Sequence, residues 1–223
     1  MANKVASLRF IVTAGPTREY LDPVRFLSNP STGRMGFAVA RAARSLGHRV
    51  TLVAGPVALR TPRGVERIDV VSARDMLAAV RKALAAGNGP AAIVMTAAVA
   101  DWRPARCASG KLKKSQMSNT LRLVRNPDIL KSLGPREKGS VRVGFAAETG
   151  EPTAEAARKC REKGLDLVVA NDVTQPGAGF AVKTNRVTFV FPDGHIEPQP
   201  LMSKDSVARR IVRLAEGIAG RAR

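Results

Sequence analysis

The fold of this chain is decided by residues 10–36, which read FIVTAGPTREYLDPVRFLSNPSTGRMG. An apolar, β-branched run predicts a buried strand over residues 8–13, and helical spacing predicts a helix over residues 33–46. A long polar loop, broken at Gly15, joins the two. A glycine turn between a strand and a helix often binds phosphate in α/β proteins, because free backbone N–H groups and the helix dipole meet there. A capped helix after an ordinary loop fits the same residues, and both interpretations stay open here.

The end of this loop has the composition of an anion site. Ser31, Thr32 and Gly33 are small, hydroxylated or flexible, so the backbone can approach an anion closely. The stretch matches neither the GxGxxG fingerprint of dinucleotide-binding folds nor the GxxxxGK[ST] fingerprint of P-loops. Its length is unusual for a strand-to-helix connection, which favours a functional loop.

Strands and helices alternate through most of the chain. This pattern predicts an α/β fold with a doubly wound, mostly parallel Rossmann-like sheet flanked by helices. A turn at Pro192, Asp193 and Gly194 adds a C-terminal β-hairpin between 187–191 and 195–199. The other strands are predicted at 49–54, 66–71, 91–95, 141–146 and 166–170, and the other helices at 73–86, 153–163 and 203–218. The segment 96–126 is expected to be irregular, and a short helix is expected to begin within 127–130.

Composition limits the class of protein. A chain of 223 residues that is 44% hydrophobic can bury a proper core, and we expect a single domain over 1–223. No apolar run is long enough to span a bilayer, and the first residues lack an apolar signal-peptide region. Cys107 and Cys160 show no metal-ligand spacing, and two histidines add too little for a typical zinc site. We therefore expect a cytoplasmic protein without a membrane partner.

The net charge of +19 comes from 37 basic and 18 acidic residues. Such a charge suits a nucleic-acid binder or a protein that takes anionic substrates. The basic residues are scattered, however, aromatic residues make up 4% of the chain, and no helix-turn-helix or zinc-finger pattern occurs. We expect most of this charge on a solvated surface and no nucleic-acid partner. A basic RNA-binding module remains an alternative, which a steep salt dependence of binding would reveal.

Polar residues follow the predicted strands at their carboxyl ends, which is where ligands bind in this class of fold. Asp101 follows a buried strand and suits a metal-phosphate or a sugar hydroxyl, although a loop cap fits equally well. Lys111, Lys113 and Lys114 suit either a polyphosphate clamp or a solvated surface. The polar segments are 14–33, 96–114, 145–149 and 171–185.

A second group of candidates lies further along the chain. Lys159 and Lys163 are one helical turn apart and share a face near a strand end, although by themselves they are ordinary surface residues. Phe145 is expected to be half-buried and suits contact with an aromatic ring. No Ser-His-Asp, Cys-His or paired-carboxylate arrangement is recognisable, so covalent catalysis by the protein is not expected. These residues suit a nucleotide-like site in which positioning and electrostatics stabilise a leaving pyrophosphate.

Eight segments carry a resemblance to a known family. In chain order they are TAGPTREYLDPVRFLSN, STGRMG, AAVADWRP, GKLKK, NPDIL, GFAAET, KGLDLVVANDV and the GF…TNRV segment. They run from about residue 10 to the last helix, and their order makes the match far more specific than any one of them. The chain resembles phosphopantothenoylcysteine synthetase, the phosphopantothenate–cysteine ligase of coenzyme A biosynthesis, in its bacterial CTP-dependent form. The flavin-dependent decarboxylase half of many family members is not among the matching segments.

The resemblance implies a two-step ligation. The carboxylate of 4′-phosphopantothenate attacks the α-phosphate of CTP, which gives an acyl-cytidylate and pyrophosphate. The amine of cysteine then displaces CMP and forms the amide. The resemblance further implies Mg²⁺ bridging the triphosphate, no FMN, and a homodimer with residues 172–200 as an arm.

The resemblance also implies site residues. Asn29 is expected near the acyl-nucleotide carbonyl, where its amide can donate a hydrogen bond, and Lys111 is expected to neutralise charge as pyrophosphate leaves. Asp101 is the candidate metal ligand, acting mostly through the triphosphate. The nucleotide contacts, including the glycine turn, are Gly15, Ser31, Thr32, Gly33, Ala97, Asp101, Lys111, Pro127, Asp128, Ile129, Leu130, Phe145, Lys159 and Lys163.

The chain departs from the family pattern at a few positions. Thr32 stands where serine is common and Arg34 where lysine is common, and both are compatible with phosphate binding. Ala181 and Lys183 replace the usual small and acidic residues, so an acidic contact is in doubt there. A short-chain NAD(P)-dependent oxidoreductase would share the fold, but Tyr20 is the only tyrosine and no Tyr-x-x-x-Lys pair exists. Two questions stay open at this point: whether the nucleotide is CTP or ATP, and whether the chain is free-standing or part of a bifunctional protein.

Overall fold

The computed structural model describes residues 7–113, 119–148 and 153–221. The elements in chain order are β1 (Arg9–Ala14), β2 (Arg18–Tyr20), β3 (Phe26–Ser28), α1 (Arg34–Ser45), β4 (Arg49–Ala54), β5 (Glu66–Asp69), α2 (Ala73–Ala85), β6 (Ala91–Met95), β7 (Trp102–Pro104), β8 (Leu123–Arg125), a 3₁₀ turn (Lys131–Leu133), β9 (Val141–Glu148), α3 (Thr153–Glu162), β10 (Leu167–Asp172), β11 (Thr184–Asn185), β12 (Thr188–Val190), β13 (Ile196–Pro198), β14 (Met202–Ser203) and α4 (Lys204–Arg221). No helix in these described ranges is long and apolar enough to cross a membrane.

An eight-stranded sheet forms the centre, in the order β13-β12-β10-β9-β6-β1-β4-β5. The strands from β10 to β5 are parallel, and β12 and β13 extend one edge as an antiparallel hairpin. The predicted doubly wound, mostly parallel sheet is therefore confirmed. The predicted hairpin is also confirmed, and it pairs with β10, so it belongs to the central sheet.

Both faces of the sheet are covered by helices. Successive side chains of a strand point to opposite faces, so Phe10 and Val12 belong to the apolar cluster that includes α1 and α4, whereas Ile11 belongs to the cluster that includes α2 and α3. Gly36 lets α1 lie close to the sheet, since a Cβ there would be 2.5 Å from Ala14 Cβ. The start of α1 is thereby held against the carboxyl end of β1.

Side chains cap the first turns of two helices. Ser72 and Asp75 form a capping box at the start of α2, in which each side chain accepts a hydrogen bond from the backbone N–H of the other residue. The Ser203 hydroxyl accepts a hydrogen bond from the Ser206 N–H at the start of α4. These local bonds set the first residues of the two helices.

Three local predictions were wrong. The loop at 14–33 contains the β2–β3 ribbon, and the segment 96–126 contains the β7–β8 ribbon. Each strand of these ribbons has three residues, which is too short to show an alternating pattern. The helix expected to begin within 127–130 is a single 3₁₀ turn at Lys131–Leu133, and the Asp128 carboxylate accepts the Lys131 N–H at its start.

The strand order contains a switch point beside β1. The chain moves from β1 to β4 and β5 on one side, and then crosses to β6, β9 and β10 on the other side. Ligands of open α/β sheets bind beyond the carboxyl ends of the strands at such a point. The loops that follow β1 and β6 meet there.

Candidate active site

A cavity of about 940 Å³ opens at this switch point. Its walls are the loops that follow β1, β6, β8 and β10, the last part of β9, one side of α3, and the starts of α1 and α4. Cavities of this size bind small molecules or cofactors. The predicted site residues that line it are Asn29, Ser31, Thr32, Gly33, Ala97, Asp101, Pro127, Asp128, Ile129, Leu130, Phe145, Lys159 and Lys163.

The start of α1 is suited to an anion. Gly33 precedes the helix with a φ of +76°, and no side chain of the described residues caps this end by a hydrogen bond. The first turn contains no acidic residue, and Arg34 also lines the cavity. The unpaired N–H groups, the helix dipole and the guanidinium therefore all favour negative charge here.

Asn29 reaches the cavity from the loop before α1. Its Nδ2 donates hydrogen bonds to the carbonyls of Ala98 and Val99, at 3.1 Å and 3.3 Å. Both N–H bonds are thus used to join the two loops, and Oδ1 is the remaining hydrogen-bonding atom. A donation from the Asn29 amide to a ligand oxygen would therefore require one of these bonds to break.

Carboxylates lie beside the two predicted lysines, of which Lys159 is in α3 and Lys163 directly follows it. Lys163 Nζ lies 2.8 Å from Asp128 Oδ2, and Lys159 Nζ lies 3.6 Å from Glu155 Oε1. Partial burial raises the pKa of Asp128, but the hydrogen bonds from Lys163 and the Lys131 N–H outweigh it and leave the pKa lowered. A ligand at this wall therefore meets ion pairs, in which the positive charges of Lys159 and Lys163 are balanced by carboxylates.

Asp101 is exposed on the loop that follows β6 and lines the cavity. Asn126, which sequence reasoning did not select, fixes this loop, since its Nδ2 donates to the Ala100 carbonyl at 2.8 Å and its N–H donates to the Asp101 carbonyl at 2.8 Å. No group of three His, Cys, Asp or Glu residues in the described chain could hold a metal ion. A single carboxylate of this kind fits Mg²⁺ that is bound mainly by substrate phosphates.

Two predicted residues, Gly15 and Lys111, lie outside the cavity wall. Gly15 packs behind Gly33, where a Cβ on Gly33 would lie 3.3 Å from the Gly15 nitrogen. Lys111 is exposed, and the next residue, Leu112, is tied to the loop between β2 and β3. Lys114 and Thr149 lie outside the described residues.

The Asp22 carboxylate connects Leu112 to the loop between β2 and β3. It accepts hydrogen bonds from the Val24 and Arg25 N–H groups, each at 2.8 Å, and from the Leu112 N–H at 3.2 Å. The Arg25 guanidinium also binds the carboxylate and donates to the Leu112 carbonyl. The Arg25 guanidinium and these N–H groups hold the pKa of Asp22 well below its ordinary value.

A further wall of the cavity was missed from sequence. It consists of Asn171 at the end of β10, the loop 178–180, Asn185 in β11 and Lys204 at the start of α4. Lys204 is 7% exposed, and its Nζ donates to the carbonyls of Gly179 and Phe180, each at 3.1 Å. Burial, and then the charge of Arg34, lower the pKa of Lys204. Asn171 and Asn185 fall within the matching segments, which was the only signal for them.

The fold and this cavity define an α/β protein of the Rossmann-like class, with its candidate site at the carboxyl edge of the sheet. A model of the DNA/pantothenate metabolism flavoprotein C-terminal domain matches residues 5–218, and the chain belongs to this family. The predicted family resemblance is therefore confirmed.

Relatives and solved structures agree with this assignment. The coenzyme A biosynthesis bifunctional protein CoaBC of Bacillus subtilis is 49% identical over 203 residues, covering 91% of this chain and 49% of the relative. The protein of the same name from Vibrio vulnificus is 45% identical over 213 residues, with 94% and 52% coverage. The chain thus spans about half the length of these curated relatives.

Among solved structures, the C-terminal domain of a CoaBC protein superposes with a TM-score of 0.81 at 39% identity, covering 99% of this chain and 100% of that domain. A mutant of Cab2 in complex with phosphopantothenate-cysteine has a TM-score of 0.79 at 16% identity, covering 98% of this chain and 89% of that one. The second likeness supports the fold alone.

Proposed function

We propose that this chain is a phosphopantothenate–cysteine ligase that uses CTP through an acyl-cytidylate. The observation that carries the proposal is the uncapped start of α1, which opens with Arg34 onto the cavity at the switch point. Family membership and the CoaBC relatives supply the substrates, and the geometry supplies a site for a polyphosphate beside a polar wall. The proposal places the enzyme in the cytoplasm.

In the first step, a carboxylate oxygen of 4′-phosphopantothenate attacks the α-phosphorus of CTP. The bond from this phosphorus to the bridging oxygen of the β-phosphate breaks, and pyrophosphate leaves with the electron pair. Charge on the leaving group is stabilised by the N–H groups at the start of α1, by Arg34 and by the third N–H of Lys204. These donors are fixed before the reaction, which is the usual source of electrostatic stabilisation in phosphoryl transfer.

In the second step, the cysteine amine attacks the acyl carbon, and CMP leaves as the amide forms. The amine loses a proton to solvent in this step. Asn29 is proposed to orient the reactants, because its amide joins the loop after β1 to the loop after β6 and leaves Oδ1 as an acceptor. The expected effect of Asn29→Asp is a larger loss in amide formation than in pyrophosphate release, measured in single turnovers without and with cysteine.

Mg²⁺ is proposed to be held by the triphosphate and Asp101, and it would neutralise phosphate charge when bound. Asp101 needs no other carboxylate for this role, because the phosphates supply most of the oxygen ligands. Asp101→Asn is expected to raise the Mg²⁺ concentration needed for half-maximal pyrophosphate release.

Lys111 keeps its proposed role in the first step, although its side chain lies outside the cavity wall. Lys111→Ala is expected to lower the rate of pyrophosphate release by ~10²-fold, as removal of other electrostatic stabilisers does. Lys113→Ala, two residues away, is the matched control and should have a smaller effect. An unchanged rate in Lys111→Ala would assign Lys111 to the solvated surface.

A homodimer is also proposed. Both small ribbons expose apolar side chains, namely Phe26, Trp102, Leu123 and the nearby Val24 and Leu121. Burial of such a patch favours association. Light scattering after size-exclusion chromatography should give twice the chain mass.

One assay tests the proposed function. Pyrophosphate release is measured with phosphopantothenate, cysteine and Mg²⁺, and with CTP, ATP, GTP or UTP in turn. We expect release with CTP to be much faster than with the others and to depend on phosphopantothenate. Equal rates with ATP would contradict the CTP assignment, and release without phosphopantothenate would contradict the ligase.

A further inference from the structure

Asn185 carries a buried hydrogen-bonding atom without a partner in the described part of the chain. The residue is 4% exposed, it lines the cavity, and its Oδ1 receives no hydrogen bond. Leaving a buried acceptor unpaired costs folding free energy, so such atoms are rare in folded proteins. The cost is recovered if a ligand supplies the missing donor.

The backbone around Asn185 is fixed. Its strand β11 pairs with β14, with Asn185 opposite Met202. The neighbouring Thr184 hydroxyl donates to the Gly177 carbonyl at 2.8 Å, and the Lys204 N–H donates to the Lys183 carbonyl at 3.0 Å. These bonds hold Asn185 in the cavity wall, so the unpaired oxygen is a built feature of the site.

The same wall is rich in donors and positive charge. The Lys204 ammonium uses two of its three N–H groups on the carbonyls of Gly179 and Phe180. The Thr32 hydroxyl, from the loop before α1, donates to the Phe180 carbonyl at 3.0 Å. The wall of Asn185 and Lys204 is therefore joined to the start of α1, the proposed phosphate site.

We propose that Asn185 is a nucleotide-binding residue whose side-chain oxygen accepts a hydrogen bond from a ribose hydroxyl of the nucleoside triphosphate. The inference rests on the proposed function for the identity of the nucleotide. Of the three substrates, the triphosphate brings the most negative charge to this positive region, and its ribose hydroxyls lie close to its phosphates. A carbonyl oxygen accepts an O–H but repels a phosphate oxygen, so Asn185 selects the sugar.

The test compares Asn185→Leu with the unmodified protein on CTP, 2′-deoxy-CTP and 3′-deoxy-CTP. Dissociation constants are measured by titration calorimetry, and pyrophosphate release is measured in parallel. The unmodified protein is expected to prefer CTP over one of the analogues by about tenfold or more, since a site built around a hydroxyl rejects ligands that lack it. Asn185→Leu should reduce this preference to less than about threefold, because it weakens the binding of CTP and leaves the binding of the deoxy analogue unchanged.

Thr184→Val is the matched control. It removes a hydrogen bond from the same strand at a residue that does not line the cavity. It should lower the melting temperature and keep the preference for CTP. Asn185→Leu should melt at or above the temperature of the unmodified protein without ligand, because it removes an unpaired polar group. If Asn185→Leu does not fold, Asn185→Asp keeps an acceptor of the same size and should keep the preference.

Three results would overturn the inference. They are no preference in the unmodified protein, the same preference in Asn185→Leu, and a change confined to the KM of cysteine or phosphopantothenate. Failure of the proposed function is distinguishable, because nucleotides would then bind without releasing pyrophosphate. In that case the ratios of the dissociation constants still decide the role of Asn185.

Discussion

Lys163 and Asp128 form an ion pair across the cavity wall, with 2.8 Å between Nζ and Oδ2. The pair joins the residue after α3 to the turn after β8. Because each charge is balanced by the other, this part of the cavity offers hydrogen-bonding groups without net charge. The start of α1 and Arg34 carry positive charge with no acidic residue in the first turn, so the proposed function puts the phosphates there and the base beside this pair and Phe145.

The ion pair should act in binding more than in catalysis. Lys163→Met and Asp128→Asn are each expected to raise the KM for CTP about tenfold with little change in kcat, as when an interaction is made equally in the ground and transition states. The loss of CTP binding free energy in the double variant should be smaller than the sum of the losses in the two single variants, because each single change already breaks the same ion pair. Steady-state kinetics with CTP as the varied substrate gives these values. Loss of kcat at unchanged KM would place Lys163 at the reacting phosphates instead.

Gly33→Ala should separate backbone strain from function. A residue with a side chain at a φ of +76° is expected to cost about 1–2 kcal/mol of unfolding free energy. Its Cβ would also lie 3.3 Å from Gly15 N and from Val57 Cγ1, at the start of α1. Gly47→Ala is the control, because Gly47 has a φ of +90° and a Cβ there meets nothing within 4 Å. Urea unfolding should show comparable losses, whereas pyrophosphate release should fall by ~10-fold or more in Gly33→Ala alone. Equal activity in the two variants would contradict an anion site at Gly33.

Asp22 should make stability depend on acid pH. Its folded pKa lies below the ordinary value of about 4, so its stabilising contribution is complete above that pH and is lost as the pH falls towards the folded pKa. The unfolding free energy of the unmodified protein should therefore exceed that of Asp22→Asn by a constant amount between pH 7 and 5, and the gap should narrow below about pH 4. Urea titrations over this range measure the gap. Asp69→Asn, at a carboxylate that is 70% exposed, should show little gap at any pH. A gap for Asp22→Asn that persists unchanged to pH 3 would contradict the assignment.

The central sheet was predictable because its signals are local. The strand AAIVM at 91–95 is buried at every position, and the alternation of such runs with helices requires parallel neighbours. The two ribbons were not predictable, since Trp102 pairs with Arg125 across a long loop and neither residue shows its partner in the sequence.

The site was predictable where one segment forms it. Asn29, Ser31, Thr32 and Gly33 lie close together in the chain and all line the cavity. Lys204 was not predictable, because a lysine at the start of a helix has no local feature that indicates burial. Its two carbonyl partners and Asn185 are brought to it only when β11 pairs with β14.

The central claim is that an acyl-cytidylate forms, and isotopic labelling of the substrate oxygen atoms tests it most directly. Phosphopantothenate labelled with ¹⁸O in its carboxylate is converted with CTP and cysteine, and the products are analysed by mass spectrometry. An acyl-cytidylate requires one carboxylate oxygen to leave with CMP, so we predict one ¹⁸O in CMP and none in pyrophosphate. Label in inorganic phosphate or pyrophosphate, with unlabelled CMP, would contradict attack on the α-phosphorus and with it the proposed mechanism.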